Sequence, residues 1–344
     1  MAAFLGLAWF SASDQAKSQT PSVKELAKQL KDGDRDVRRD AALGLAQIGP
    51  DAAAALPELI KGAEDRDPQI WSFSVQAIDR IGPRAAKAVP VLIKQLDQRD
   101  GQRRYRVTMA LGHIGKPAVR ELIKSLDSSR SNTRAAAARA LSIIGPDAAP
   151  AAVRLSELLA DGESQVRQAA AGALAAIGRP AVQPVLTQLR TTEDAKVRIA
   201  AAVALKGLGE LAAAGAGKLE QLSEDPDPQV RAAALTALAA VSGIDSKNAA
   251  RFVKSLTDDE PVVCQAGFDV IRGAPAAAFF VPELLKLLTH ADSSVRRQVV
   301  FLLGKVEPPP VEVLPDLKRL QRSDDERFRQ LLETTIKRLE SAKE

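Results

Sequence analysis

One segment of the sequence returns along almost the whole chain, and this repetition limits the possible folds more than any other feature. Its first copy, from Asp34 to Gly49, reads DRDVRRDAALGLAQIG. Val37, Ala41 and Leu45 fall on one face at helical spacing. Asp34 is a typical N-cap residue, and Gly49 supplies the positive-φ position that commonly ends a helix. The segment therefore predicts one amphipathic helix, which we call helix B.

The copies keep one phase over the whole chain. We call the position of Arg38 the marker; neighbouring copies of it lie 30 to 33 residues apart, at Trp71, Arg104, Arg134, Arg167, Arg198, Arg231, Val263, Arg296 and Arg329. The residue four before the marker is acidic in every copy except the fourth, which has Arg130, and the residue seven after it is always a large aliphatic. Ten copies in phase indicate a repeat protein.

A second helix, helix A, precedes each helix B. Examples are LPELIKGAED at 56–65 and VPELLKLLTH at 281–290, and a proline recurs fourteen residues before the marker at Pro57, Pro90, Pro184, Pro282 and Pro315. A helix pair of this size cannot bury its apolar face alone, but it can do so by stacking on its neighbours. The sequence thus predicts an all-α fold, an α-solenoid of about ten helix pairs in a right-handed superhelix, over residues 21–344.

These residues resemble the HEAT repeat in its short bacterial, phycobilisome-lyase-like form. The resemblance is carried by Val37-Arg38, Ile48-Gly49, the helix A prolines and strings such as DPDPQVRAAALTALAAV at 225–241, and it covers roughly 23–340. The tetratricopeptide and ankyrin signatures are missing from the sequence. The resemblance implies the fold and a binding scaffold; lyase activity does not follow, since the family name covers few true lyases.

Few residues in the chain could carry chemistry. There are two histidines, His113 and His290, and a single cysteine, Cys264. Neither histidine begins a His-Glu pair of the kind that HEAT-repeat di-iron hydroxylases use as ligands, and the sequence has no Cys-x-x-Cys, His-Glu-x-x-His or phosphate-binding glycine loop. We therefore expect no catalytic residue, no metal site and no cofactor. The repeated Asp and Arg are interpreted as a helix cap and a link to an acidic group of the adjacent repeat.

Positions one, five and nine after the marker form a stripe of helix B outside the core face. In repeats 5 to 7 this stripe is mostly alanine and glycine, whereas repeats 2 to 4 carry an aromatic residue, a methionine and arginines, residue types that dominate protein interfaces. Trp71 and Phe73 are equally compatible with the core and with the surface. The predicted partner-binding residues are Gln76, Arg80, Tyr105, Arg106, Met109, His113 and Arg139, with a secondary patch of Phe268, Arg272, Phe301 and Lys305.

The same region is basic. From Lys94 to Arg139 there are eleven basic and four acidic residues, a net charge of +7 against +5 for the whole chain. This favours an acidic protein partner, bound on the concave face lined by helix B. The alternative is nucleic-acid binding through the same basic residues, which needs several phosphate contacts. The alanine-rich stripe that follows offers little to a long duplex, so the sequence favours a protein partner.

Residues 1–20 lie outside the repeat and predict export. The nine-residue apolar run AAFLGLAWF is followed by Ser11-Ala12-Ser13, which resembles the apolar core and small-residue cleavage site of a secretory signal peptide. No basic residue precedes the run, so a cytoplasmic protein with an apolar tail is the alternative to an exported or periplasmic one. The run is too short to span a bilayer, and no transmembrane segment is expected.

If the apolar run is a signal, the protein purified from its native host begins at or near Asp14. N-terminal sequencing measures this directly. Intact Met1 on protein from the cytosolic fraction would show that the run is not cleaved and that the export hypothesis is wrong.

Overall fold

A computed structural model describes residues 21–98, 100–274, 277–322 and 325–342. The apolar run and the cleavage site expected near Ser13 lie outside these residues. Within the described ranges all regular structure is helical, with no β-strand. They fall into two compact units, one ending at Ala118 and one beginning at Val119.

Ten pairs of α-helices follow one another in the described residues, which confirms the predicted all-α solenoid. Helix A of each repeat is short: α1 (Val23–Gln29), α3 (Leu56–Gly62), α5 (Val89–Gln95), α7 (Val119–Ser125), α9 (Ala152–Glu157), α11 (Val182–Thr191), α13 (Ala216–Leu222), α15 (Ala249–Lys254), α17 (Val281–Lys286) and α19 (Leu314–Arg319). Helix B is longer: α2 (Arg35–Ile48), α4 (Pro68–Ile81), α6 (Gly101–Ile114), α8 (Ser131–Ile144), α10 (Ser164–Ile177), α12 (Ala195–Leu208), α14 (Pro228–Ser242), α16 (Pro261–Arg272), α18 (Ser293–Leu303) and α20 (Glu326–Ser341).

The bounds of helix B follow from its two end residues. The Asp34 carboxylate accepts hydrogen bonds from the backbone N–H groups of Asp36 and Val37, at 2.7 and 3.3 Å, and so caps α2. At the other end Gly49 has φ of 74°, which a residue with a Cβ rarely adopts. The Gly-Pro break predicted after helix B continues as a short 3-10 helix, Gly49–Ala55 in the first repeat.

Each helix B packs against the helix B of the next repeat within its unit. In the first unit α4 lies between α2 and α6, and in the second unit α8 to α20 pack in succession. The aliphatic residue seven after the marker is fully buried, as at Leu45, Leu111 and Leu205. Small residues let the helices approach closely: a Cβ added to Gly207 would lie 2.5 Å from that of Ala175.

The marker arginine joins its own turn to the turn of the next repeat. Arg231 Nη1 donates to the carbonyl oxygens of Asp225 and Pro226, at 2.8 and 3.1 Å, in the turn before α14. Its Nε and Nη2 donate to the two carboxylate oxygens of Asp258, at 2.9 and 2.7 Å, in the turn before α16. Asp258 also accepts a hydrogen bond from the N–H of Glu260. One carboxylate therefore binds both the backbone of its own turn and the arginine of the preceding repeat.

The predicted link between adjacent repeats is therefore confirmed. The carboxylate that accepts it is not the residue that caps the next helix B. The acid of the link lies two residues before the cap of the next helix B, and the described pairs are Arg38 with Asp65, Arg134 with Asp161, Arg198 with Asp225, and Arg231 with Asp258. The Arg231 guanidinium holds the pKa of Asp258 below its usual range, because hydrogen bonding to the charged form outweighs partial burial.

The sequence register of the eighth repeat was wrong by one residue. Glu260, and not Asp259, is the N-cap of α16, so Cys264 and not Val263 is the marker. The Cys264 thiol donates to the carbonyl oxygen of Asp258, the contact that the arginine makes in other repeats. Burial and the neighbouring Asp258 raise the pKa of Cys264, so the thiol keeps its proton. Adjacent acids at 259 and 260 left the register ambiguous.

Trp71 belongs to the core. It occupies the marker of the second repeat and is 4% exposed, with Nε1 donating to Oε1 of Gln95 at 2.7 Å. The amide of Gln95 in turn donates to the carbonyl oxygen of Ala63, while the Arg103 guanidinium lies 4.7 Å from the centre of the indole. This chain of contacts takes the place of the Arg–Asp link, and Phe73 beside it is half-buried.

One described stretch, Ala195–Leu222, is long and apolar enough to pass a length-and-composition test for a membrane span. It comprises α12, a 3-10 helix and α13, and the chain bends between the two α-helices at Gly209, where φ is 56°. Both α12 and α13 pack against α14, so the apolarity of this stretch serves contacts between repeats and within one.

The link predicts a specific loss of stability. Asp258→Asn keeps the shape of the side chain and its turn hydrogen bond but removes the charge that Arg231 pairs with, and we expect it to lower the free energy of unfolding by about 1.5–3 kcal/mol. Asp316→Asn is the matched control. The side chains of Arg319 and Asp316 are 79% and 44% exposed, so breaking this pair is expected to lower the free energy of unfolding by at most about 0.5 kcal/mol. Urea melts at neutral pH compare the two; equal losses would contradict the link.

The effect of Asp258→Asn should depend on pH. Because the pKa of Asp258 is lowered in the folded chain, its contribution is fully present above the pKa of an unfolded aspartate, about 3.9. It is lost as the pH falls through the lower, folded-state value. The stability difference between wild type and the variant should therefore stay constant from neutral pH down to about pH 5 and shrink below about pH 4. A difference that does not change below that pH would contradict the assignment.

Candidate protein-binding groove

A surface groove with a volume of about 310 Å³ runs between α4 and α6 in the first unit. Four of the predicted partner-binding residues line it together: Gln76, Tyr105, Arg106 and Met109. Sequence reasoning did not single out the other lining residues, which are Val75, Asp79 and Gln102.

The repeat positions these side chains. Asp67 and Asp100 cap α4 and α6, which fixes the phase of both helices, so positions one and five after each marker turn away from the core. Tyr105 is 61% exposed, Met109 and Gln76 are half-buried, and Arg106 is exposed. Arg106 makes no ion pair with any residue that the structure describes.

Asp79 and His113 form a polar pair at one end of the groove. The His113 Nδ1 lies 2.6 Å from Oδ1 of Asp79, and because a carboxylate can only accept, the imidazole is the donor. His113 was a predicted site residue, and Asp79 was missed. The sequence signal that could have found Asp79 is its spacing of 34 residues from His113, one repeat plus one position. Arg80 contacts the carbonyl oxygen of Ala46 at the same spacing.

Two other predicted residues are placed elsewhere. Nη1 of Arg80 donates to Ala46 at 2.8 Å, so this side chain connects α4 to α2 and does not line the groove. Arg139 lies on α8 of the second unit, where its side chain is exposed. Within the first unit the predicted set is therefore divided between the groove and the contact of α4 with α2.

The basic residues of this region are spread over both helices of the repeat, and several of them have partners within the fold. Arg104 donates to the carbonyl oxygen of Gln98, Lys124 on α7 pairs with Glu121, and Arg134 pairs with Asp161. The groove itself carries one cation, Arg106, and one carboxylate, Asp79. The net charge of +7 in the sequence therefore does not become a continuous basic surface at this groove.

The four residues predicted as a secondary patch are neighbours in the second unit. The rings of Phe268 on α16 and Phe301 on α18 lie 5.7 Å apart and tilted by 33°. Arg272 lies 5.7 Å from the first ring centre and Lys305 lies 5.7 Å from the second. Arg272 is also paired with Asp269 at 2.8 Å, which reduces the positive charge of the patch.

The described residues bring together no group of three or more His, Cys, Asp or Glu side chains that could hold a metal ion. The two histidines act separately: His113 binds Asp79, and His290 Nδ1 accepts the N–H of Asp292 in the turn before α18.

Helix pairs stacked through their B helices, with repeating turns and a groove between neighbouring B helices, define an α-solenoid repeat protein. The family model described as HEAT repeats matches residues 23–108, 89–155 and 151–217, and a second HEAT repeat model matches 217–244. The chain therefore belongs to the HEAT-repeat family, as its sequence suggested. None of the curated proteins matches it.

Solved structures share the fold. Kap121p bound to the extreme C-terminus of the protein phosphatase Cdc14p matches with a TM-score of 0.63 at 15% identity, over 93% of this chain and 41% of that one. Importin beta matches with a TM-score of 0.56 at 16% identity, over 93% of this chain and 52% of that one. The chain thus spans about half or less of these relatives. HEAT-repeat solenoids of this kind are commonly protein-interaction scaffolds and typically not enzymes.

Core and groove positions of α6 should respond differently to truncation. Leu111 is fully buried, and Leu111→Ala is expected to lower the free energy of unfolding by about 2–5 kcal/mol. Tyr105→Ala removes a largely exposed ring and should change it by about 0.5 kcal/mol or less. Denaturant melts measure both; a large loss for Tyr105→Ala would show that its ring supports the fold.

Proposed function

We propose that the chain is a non-catalytic scaffold that binds a partner protein in the groove between α4 and α6, on the face lined by helix B that we take to be concave. The supporting observation is Tyr105, an aromatic side chain 61% exposed beside Met109. Large aromatic side chains at the centre of a contact carry much of the binding energy in protein interfaces.

The chemistry of the groove supports binding and not catalysis. None of its seven lining residues is a serine, threonine or cysteine, so the groove lining supplies no nucleophile of this kind. Gln76 and Gln102 carry amides that both donate and accept hydrogen bonds, which suits the main chain or polar side chains of a partner.

The partner is an acidic segment that also carries an apolar side chain. The apolar group would lie against Tyr105 and Met109, and a carboxylate would pair with Arg106. Relatives with this fold support a protein ligand, since Kap121p is bound to a segment of Cdc14p in one structure and to Pho4p in another.

Nucleic-acid binding is the second candidate for this region. It would need a row of cations facing one way, whereas Arg104 and Arg134 are engaged within the fold and Asp79 lies in the groove. We propose that the protein acts after export, on the basis of its apolar N-terminal run, so that its partner is exported or periplasmic too.

Two variants separate the contributions to partner binding. Tyr105→Ala should speed dissociation of a partner captured from the native host, costing on the order of 1–2 kcal/mol, because an anchor sets the lifetime of a complex. Arg106→Glu should slow association and reduce its salt dependence, because charge steers encounter. Surface plasmon resonance gives both rates. Val153→Ala, at a valine of α9 that is 63% exposed, is the control and should change neither rate.

Unchanged rates for both groove variants, with intact thermal melts, would place the binding face elsewhere. The secondary patch of Phe268, Arg272, Phe301 and Lys305 is then tested next. Tight, salt-sensitive binding of an unrelated DNA duplex that Arg106→Glu weakens would instead favour the nucleic-acid alternative.

A further inference from the structure

A second groove of the same construction lies in the second unit, between α10 and α12, with a volume of about 180 Å³. Counted from their markers, Ile199 and Val203 of α12 occupy the positions that Tyr105 and Met109 occupy in α6. The repeat thus forms the same kind of groove twice. In each case the residues one and five after the marker form one wall, and the preceding helix B forms the other. The alanine- and glycine-rich sequence of repeats 5 to 7 concealed it.

The floor and wall of this groove are apolar and open to solvent. Ala171 and Ala200 are buried beneath it, Ile199 is half-buried, and Val203 is 48% exposed. Ile199 and Val203 thus offer an accessible apolar wall beside the buried alanines. The volume is below the roughly 300–1,000 Å³ of small-molecule clefts, so it suits a single bulky side chain.

The rim of the groove is cationic. Arg167 and Lys196 line it, and no acidic side chain does. Arg167 is a marker, but the position where the next turn would supply its aspartate is Thr192, whose hydroxyl accepts the N–H of Asp194. Nη1 of Arg167 still binds the carbonyl oxygens of Asp161 and Gly162, yet neither Arg167 nor Lys196 forms an ion pair with any described residue. Two cations without an ion-pair partner, beside an apolar floor, favour the opposite charge on a ligand.

We propose that the α10/α12 groove is a second docking site, which takes a protein segment presenting one bulky aliphatic or aromatic side chain next to carboxylates. The side chain lies over Ala171 and Ala200 against Val203, and the carboxylates pair with Lys196 and Arg167. This goes beyond the function proposed for the α4/α6 groove and does not rest on it. The two grooves differ in selectivity, because Asp79 lies in the first and no carboxylate lines the second.

The test uses phage-displayed random peptides selected on the full chain carrying Tyr105→Ala, because the α4/α6 groove would otherwise take peptides of similar chemistry. Peptides that carry Leu, Ile or Phe beside Asp or Glu should be enriched, and their binding should weaken with salt. Val203→Glu should reduce binding of these peptides by at least about tenfold, since it places a carboxylate where the apolar side chain and its acidic neighbours would lie. Val153→Glu is the matched control, because it adds the same charge at an exposed valine outside the groove.

Lys196→Glu changes an exposed residue at the rim and keeps the test valid should Val203→Glu not fold. It should also weaken binding of the selected peptides by about tenfold or more. Because the peptides are selected with Tyr105 already removed, failure here is distinguishable from failure of the α4/α6 groove. Enrichment of basic peptides, equal losses for Val203→Glu and Val153→Glu, or binding that survives Lys196→Glu would each overturn the proposal.

Discussion

The fold depends on one guanidinium contact that is repeated along the chain. The marker arginine binds the carbonyl oxygens of the turn before its own helix B, and with its remaining donors it binds a carboxylate in the next turn. The contact fixes backbone conformation at both ends, because the carboxylate also accepts a hydrogen bond from the N–H of the next helix cap. Charge-assisted, two-pronged hydrogen bonds are stronger and more directional than neutral ones. In the four repeats that have the link, the phase of one helix B is thereby tied to that of the next, while the aliphatic core supplies the bulk of the burial.

The two proposed docking grooves lie where this contact is modified. At the second repeat the marker is Trp71, joined to Gln95 and covered by Arg103, and the groove with Tyr105 lies between α4 and α6. At Arg167 the acceptor is missing, and the cation lines the α10/α12 groove.

Most of the fold could be predicted from the sequence, because caps such as Asp34, glycines such as Gly49 and the aliphatic period are local signals that repeat. The sequence did not distinguish the caps at 259 and 260, and it did not show that Gly-Pro breaks continue as 3-10 helices. The site was only partly predictable. Tyr105 and Met109 stood out by type, whereas Asp79, Ile199 and Val203 are ordinary residues that matter only through the helix packed beside them.

Hydrogen exchange of the turn amides tests the central claim most directly, in one unmodified molecule. The N–H groups of Glu163, Asp227 and Glu260 donate to aspartates that a preceding arginine also holds. Those of Asp194 and Asp292 donate to the side chains of Thr192 and His290, and no arginine of the preceding repeat donates to either side chain in the described structure. The first three should exchange at least about tenfold more slowly, corresponding to about 1.4 kcal/mol of local opening free energy. Equal rates, or faster exchange in the linked turns, would contradict the account.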